Sequence, residues 1–440
     1  MHFLATLAEP GNMSIEGSPT GRLKQDDAVS SDTEETPTPA QLFLDLSRLV
    51  FAASSRTPTG IPRVELAYAE HFIANYPERL KFVVLDAVGR QGLVDSRQAA
   101  LFVSEIAQYW RRNTASNLAY ARLVLRALRI HVDLLLRRHG SLARSIARYP
   151  GRSIYVIPSQ LPMERTRMIE RLKRDGKLRL VYFVHDIFPS LFPEYFPPDA
   201  ERRNRRRMEG AARLADVVVA NSQDTADLFR RNFAKDCRLG SVIAAPLGVN
   251  IASHRATGVA DPGQPYFVMV GTIEPRKNHL LILNLWRSLR AEKGAETPRL
   301  ILIGGRGWEN ENIVDMLERS PALRGVVEER GRTSDEAMVQ LLAGARALLM
   351  PSFAEGFGLP LAEALSLGVP AISSDLPALR EVGGDVPEFI DPMDGPRWRS
   401  AILDYAAPES PRRRAQVERM AGWRPPDWDS HFKRIAEWLD

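Results

Sequence analysis

Ser352 to Gly368 reads SFAEGFGLPLAEALSLG, and this stretch decides the architecture of the chain. The run before it, Ala347-Leu348-Leu349-Met350, has the length and character of a short buried strand. The run after the glycines, Leu361 to Leu367, has helical character, opened by Pro360 and closed by Gly368. Between them lies the turn Gly356-Phe357-Gly358. A strand, a glycine loop and a helix start leave backbone N–H groups free and aim a positive helix end at the loop. An anion such as a diphosphate fits that place. Glu355 is expected at the loop and Glu363 in the first helical turn. Carboxylates repel phosphate but accept hydrogen bonds from sugar hydroxyls. A glutamate pair at this spacing is common on exposed helices, so the flanks give this pair its meaning.

Outward from this stretch, short apolar runs alternate with helical runs. The first half offers Leu42–Leu46, Phe82–Asp86, Ile154–Ile157, Leu180–Val184, Val217–Ala220 and Val242–Ala245. The second offers Tyr266–Val270, Leu300–Ile303, Val326–Glu329, Ala347–Met350 and Ala371–Ser373. Near-continuous β-branched runs are what parallel strands covered on both faces require. The alternation predicts an α/β protein of two doubly wound, Rossmann-like domains facing across a cleft, with ligands beyond the carboxyl ends of the strands. The polar, turn-rich segment from Pro246 to Gly263 is the expected boundary. The expected divisions are a disordered leader over 1–40, a first domain over 41–255, a second over 256–425 and a terminal helix over 426–440.

A chain of 440 residues, 44% hydrophobic, is long enough for two cores. The single cysteine, Cys237, excludes an internal disulfide and suits a reducing compartment. No apolar run reaches the ~18 residues a membrane span needs, and the N-terminus lacks the charged and apolar regions of a signal peptide. The expected location is the cytoplasm.

In the second half, the strand Tyr266–Val270 runs into GTIEPRKNHL. Asn278 reads as the N-cap of the next helix, so Arg276 and Lys277 stand just before a helix N-terminus. The dipole there favours anions, and a diphosphate resolves the conflict. Gly304-Gly305 ends another strand, where glycine permits close approach of a ligand or of packing neighbours. Gly331-Arg332-Thr333-Ser334 precedes a further helix, with Ser334 as a plausible cap. In the first half, a loop with Thr59-Gly60-Ile61 leads into a helix that begins near Arg63. The strand Leu180–Val184 ends in His185-Asp186-Ile187-Phe188-Pro189, which aims His185 at the cleft. Asn221-Ser222 reads as a helix cap near it.

The segment around Glu355 and Glu363 resembles the nucleotide-sugar signature of the family 4 glycosyltransferases, which have the two-domain GT-B fold. HDIFP, FPEYFPP and PRKNHLLIL resemble bacterial mannosyltransferases of surface-polysaccharide assembly. The resemblance covers roughly residues 42 to 440. It implies a retaining hexosyltransferase that needs no metal at the donor phosphates, and no other cofactor. It implies that His185 and Glu355 are catalytic, and that Arg276, Lys277, Gly356, Phe357, Gly358 and Gly60 meet the donor diphosphate. Glu363 would bind the ribose, and Arg332 and Thr333 would lie at the base. The glycine loop of the family is matched only by Gly60. The donor implied is GDP-mannose, with UDP-sugars open. The acceptor implied is a glycan or lipid-linked sugar, and the tail is expected to cross back onto the first domain. A catalytically silent GT-B subunit, or an epimerase of the same fold, are the other readings. The one Asp-x-Asp triplet, Asp427-Trp428-Asp429, reads as a helix cap.

Residues 111 to 148 hold nine arginines and one acid, Asp133. Arg122, Arg126, Arg129, Asp133 and Arg137 share one helical face, with Leu125, Leu128, Leu135 and Leu136 elsewhere. A basic amphipathic helix over 118–138 is expected to offer peripheral contact to the inner face of a membrane. Arg202, Arg203, Arg205, Arg206 and Arg207 form a second basic cluster in the same domain. No nucleic-acid motif accompanies either cluster, so nucleic acid is not an expected partner.

Overall fold

The computed structural model describes residues 38–86, 89–111, 116–136, 141–235, 240–249 and 264–440. Cys237, Arg137, and most of the expected leader and boundary loop lie outside the described residues.

Two sheets form. The first contains β1 (Gln41–Asp45), β2 (Leu80–Leu85), β3 (Gln91–Val94), β4 (Ser153–Ile157), β5 (Leu178–Val184), β6 (Val217–Ala220) and β7 (Ser241–Ala244). Its order is β3-β2-β1-β4-β5-β6-β7, parallel except for β3. The second contains β8 (Tyr266–Val270), β9 (Arg299–Ile303), β10 (Val327–Gly331), β11 (Ala347–Met350), β12 (Ala371–Ser374) and β13 (Glu388–Ile390). Its order is β10-β9-β8-β11-β12-β13, all parallel. Both sheets reverse their winding beside the first strand, between β1 and β4 and between β8 and β11. The crevices outside these switch points are where doubly wound sheets bind ligands.

Every strand expected from the sequence forms, with ends moved by one or two residues. β1, β4, β6, β11 and β12 are buried throughout, as their apolar runs demand. The reading passed over β3 and β13, both edge strands. QGLV and EFI are too short and too polar to register as buried runs.

The C-terminal helix Trp428–Ile435 packs on the first-domain helix Gly60–Asn75. Phe432 stacks on His71 with ring centroids 3.6 Å apart, and His431 Nε2 lies 2.8 Å from the Tyr68 hydroxyl. Asp427 accepts from Ser430 N–H and caps this helix. Among the described residues no helix is long and apolar enough to cross a membrane.

Candidate active site

The loops after β8 and β11 meet at the switch point of the second sheet. After β8, a 3-10 turn over Pro275–Lys277 leads through Asn278 into the helix His279–Lys293. Asn278 does not cap that helix with its side chain, which corrects the sequence reading. Its backbone is left-handed, with φ 56°, and its amide donates to the carbonyls of Pro351 and Pro392. The residue therefore ties the β8 loop to the ends of β11 and β13.

Arg276 reaches in the same direction. Its guanidinium donates to Glu274 Oε1 at 2.6 Å and to the Ala354 carbonyl at 2.5 Å, and lies 3.3 Å from Glu355 Oε2. Lys277 Nζ donates to Glu355 Oε1 at 2.5 Å. Burial raises the Glu355 carboxyl, but Lys277 and Arg276 outweigh it and hold the group at about 2. Glu355 is thus a buried, fully ionised carboxylate set between two cations.

After β11, Gly356 and Phe357 lead to Gly358, whose φ of +103° suits glycine. Gly358 is the N-cap of the helix Leu359–Ser366. The Phe357 ring is buried in the core, so only its backbone is available to a ligand. Glu363 lies one turn further into this helix than the sequence suggested. Burial raises its carboxyl to about 7, against the opposing pull of Arg63.

The first domain closes over these loops. Arg63, near the start of the helix Gly60–Asn75, pairs with Asp335, and its guanidinium lies 3.6 Å from Glu363. Gly60 begins that helix, with open space where a β-carbon would stand. Ser222 caps the helix Gln223–Phe233, accepting from Thr225 N–H. The hydroxyls of Ser222 and Thr225 both donate to the Gly356 carbonyl. Glu381 accepts from the N–H groups of Gln223 and Asp224, capping a helix of the opposite domain. Tyr195 stacks on Phe353 at 5.6 Å.

His185 lies at the end of β5, beside Gly356. Its Nε2 donates to the Pro158 carbonyl at 2.7 Å, and burial lowers the imidazole to about 4. The ring is neutral at physiological pH and offers hydrogen bonding rather than charge. Arg332 crosses to Ser55, with its Nη1 3.3 Å from Oγ. Thr333 Oγ1 is buried with no partner among the described residues. Ser334 caps the helix Asp335–Ala343. Gly304 serves packing, since a β-carbon there would fall 1.8 Å from the Gly271 carbonyl oxygen. Among the described residues no three His, Cys, Asp or Glu side chains converge as a metal site.

Residues 250–386, the segment that carries both the basic turn and the two glutamates, match the family Glycosyl transferases group 1. O-antigen chain mannosyltransferase B of Escherichia coli is 31% identical over 259 residues, which cover 57% of this chain and 68% of that protein. The chain belongs to the group 1 glycosyl transferases. O-antigen chain mannosyltransferase RfbU of Salmonella typhimurium is 28% identical over 225 residues, half of this chain and 58% of that protein. The serotype-specific mannosyltransferase WbdA of Escherichia coli is 32% identical over 217 residues, only 26% of its length. Among solved structures, Anabaena Alr3699/HepE in complex with UDP superposes with a TM-score of 0.59 at 18% identity, covering 91% of this chain and 99% of that one. A trehalose-phosphate synthase from Burkholderia vietnamiensis gives the same TM-score at 11% identity, covering 91% and 97%. These likenesses establish the GT-B fold.

Several residues that build the site of this glycosyl transferase gave no signal in sequence. Glu274 neutralises Arg276, and Asp335 receives Arg63. Glu274 meets Arg276 two residues along the same loop, whereas Asp335, at the start of its helix, finds Arg63 only in the closed cleft. Glu381, an exposed helix residue, likewise meets the N–H groups of Gln223 and Asp224 only because the opposite domain is present.

Proposed function

We propose that this glycosyl transferase moves mannose from GDP-mannose to a lipid-linked or polysaccharide acceptor in cell-surface polysaccharide assembly. The observation that carries the reading is Glu355, ionised and buried between Lys277 and Arg276 at the switch point of the second sheet. In this reading the Lys277 ammonium, Arg276 and the N–H groups of Gly356, Phe357 and Gly358 stabilise the departing diphosphate. Gly60, at a helix N-terminus, faces it from the first domain. Glu355 accepts from the donor sugar's hydroxyls and stabilises positive charge developing at the anomeric carbon. His185, neutral, assists by hydrogen bonding from the first domain. Glu363 accepts from the ribose hydroxyls, with Arg332 and Thr333 at the base.

The acceptor hydroxyl displaces the nucleoside diphosphate on the face it leaves from and passes its proton to the departing phosphate oxygen, so configuration is retained. This route needs no metal at the phosphates and no second carboxylate as a nucleophile. The nucleotide-sugar donor and the single cysteine favour a cytoplasmic site of action. Mannose is supported by the names of the relatives. A UDP-sugar is the second reading, favoured by the structural neighbour solved with UDP.

The test is a thermal-shift panel of GDP, UDP, ADP, GDP-mannose and several UDP-sugars, run on wild type beside Lys277→Ala. Stabilisation by guanine nucleotides that is lost in the variant is the expected result. Stabilisation by uridine nucleotides alone replaces mannose with the second reading. No shift with any nucleotide overturns the transfer proposal.

A further inference from the structure

The helix Asn117–Leu135 has two apolar faces, and only one is buried. Leu123, Ala127, Ile130 and Leu134 pack into the first-domain core. The sequence reading contrasted a basic face with leucines placed elsewhere. The structure turns those leucines outward. Leu118 is 66% exposed, Leu125 62%, Leu128 56%, Val132 42%, Leu135 45% and the following Leu136 57%. Leu118, Ala121, Leu125, Leu128, Val132 and Leu135 alternate at spacings of three and four, which draws one straight stripe along the helix. At 1.5 Å per residue the stripe is about 26 Å long. A contiguous exposed apolar face of this kind marks a docking surface.

We propose that this stripe docks the enzyme onto an anionic lipid bilayer, with the leucines at the acyl boundary and the flanking arginines at the headgroups. Charge selects this occupant. Arg122 and Arg129 are exposed beside the leucines, Arg129 remaining 70% exposed although its Nε lies 3.9 Å from Asp133 Oδ2. The one acid of the helix, Asp133, is buried, and Arg126 is paired with Glu105 on the neighbouring helix. Among the described residues of this helix, the exposed side therefore carries arginines and no exposed carboxylate. A second copy of the helix would set arginine against arginine, whereas an anionic surface neutralises both. Long arginine side chains reach headgroups while apolar neighbours sink below them.

A second basic group borders the same edge of the sheet. Lys81, Arg144 and Arg148 line a recess with Leu93, Ser141, Ser145 and Tyr149, and among the described residues no carboxylate joins them. The recess flanks edge strand β3, and on the other face of that strand Leu134 packs against Gly92.

The stripe also begins at the cleft. Arg56 donates to Asn117, and the Tyr120 hydroxyl donates to the Ser54 carbonyl. Ser55, between them, meets Arg332 of the second domain. A bilayer under the stripe would bring a lipid-linked acceptor to the cleft mouth, and this last step rests on the acceptor reading above.

The test is co-sedimentation of the full chain with vesicles of phosphatidylcholine alone or with phosphatidylglycerol added. Wild type is compared with Leu125→Asp/Leu128→Asp and with Arg122→Gln/Arg129→Gln, and circular dichroism confirms that each variant is folded. Wild type should partition at least tenfold better onto the anionic vesicles. The leucine pair should lose at least tenfold on them, and the arginine pair on the order of fivefold per charge. Equal binding of wild type and both folded variants, or no vesicle binding by wild type, overturns the proposal. So does a concentration-dependent dimer that the leucine substitutions abolish in place of vesicle binding, because the face would then join two copies. The vesicles contain no acceptor, so this arm judges docking alone. Vesicle binding without transfer to any lipid-linked sugar would overturn the acceptor reading and leave docking standing.

Discussion

A β-carbon built on Gly356 would lie 2.4 Å from the carbonyl oxygen of His185. The two residues belong to opposite domains, and the contact is backbone against backbone, so no side chain can swing aside to relieve it. Glycine at 356 is the condition for bringing the Glu355 loop against the end of β5. The neighbouring hydrogen bonds from Ser222 and Thr225 to the Gly356 carbonyl depend on the same approach.

Gly356→Ala should fold, because the clash lies between domains and not within either core. Small-angle scattering should show an expanded particle, and turnover should fall by roughly two orders of magnitude through lost positioning. A compact variant with wild-type turnover would show that the close approach does not require glycine at 356.

Lys277→Ala removes one of the two cations on Glu355. Turnover should fall about 10²–10³-fold, the usual cost of deleting one group that stabilises developing negative charge. Arg276 remains to hold the β8 and β11 loops together, so circular dichroism should be unchanged. Unaltered turnover in steady-state assays would remove Lys277 from the mechanism.

With Glu363 on the ribose, as proposed above, donor binding should be sensitive to pH. Burial lifts its carboxyl to about 7, with Arg63 opposing and Asp335 adding to the rise. Only the ionised carboxylate accepts from two ribose hydroxyls, so donor affinity should weaken as pH falls through about 7. Arg63→Gln should move that midpoint upward, and Glu363→Gln should flatten the profile, both read by calorimetric titration with nucleotide. The same shift acts on stability with a defined sign. A carboxyl raised in the folded state favours folding below about 4.5 and loses that contribution as pH rises toward 7. The loss is about 3 kcal/mol, and Glu363→Gln should abolish it in denaturant titrations.

His431 acts in the opposite sense. Burial lowers it to about 4, and the neutral ring contacts the Tyr68 hydroxyl and the carbonyls of Ala245 and Pro246. A histidine depressed in the folded state contributes stability above about 6.5 that is lost as pH falls toward 4, about 3 kcal/mol over that window. His431→Gln should cost about 2 kcal/mol at pH 7.5, and its deficit should narrow or reverse at pH 4.5. A deficit that stays constant with pH in chemical denaturation would refute the titration.

Much of the fold was legible because buried parallel strands announce themselves as apolar runs. Val217–Ala220 and Ala347–Met350 are such runs, and each is a strand with the ends the pattern predicts. The short edge strands β3 and β13 lack that signal. The loop residues Arg276, Lys277, Glu355 and Glu363 were legible as a local pattern of charge and glycine beside a helix start. That Lys277 and Arg276 both converge on Glu355 was not, since they lie 78 and 79 residues from it in the chain. Asn278 was misread because a left-handed backbone removes the side chain from the capping position.

The sequence by itself determined the two doubly wound sheets, their ligand-bearing ends and the loop chemistry, because these follow from local periodicity and from residues close in the chain. Only the tertiary structure decided which charges compensate one another across the cleft, that Gly356 must be glycine, and that the outer leucines of the Asn117–Leu135 helix face solvent. Each of these depends on which surfaces two separately folded sheets bring together, and a pattern read along one helix or strand holds no term for the element that packs against it.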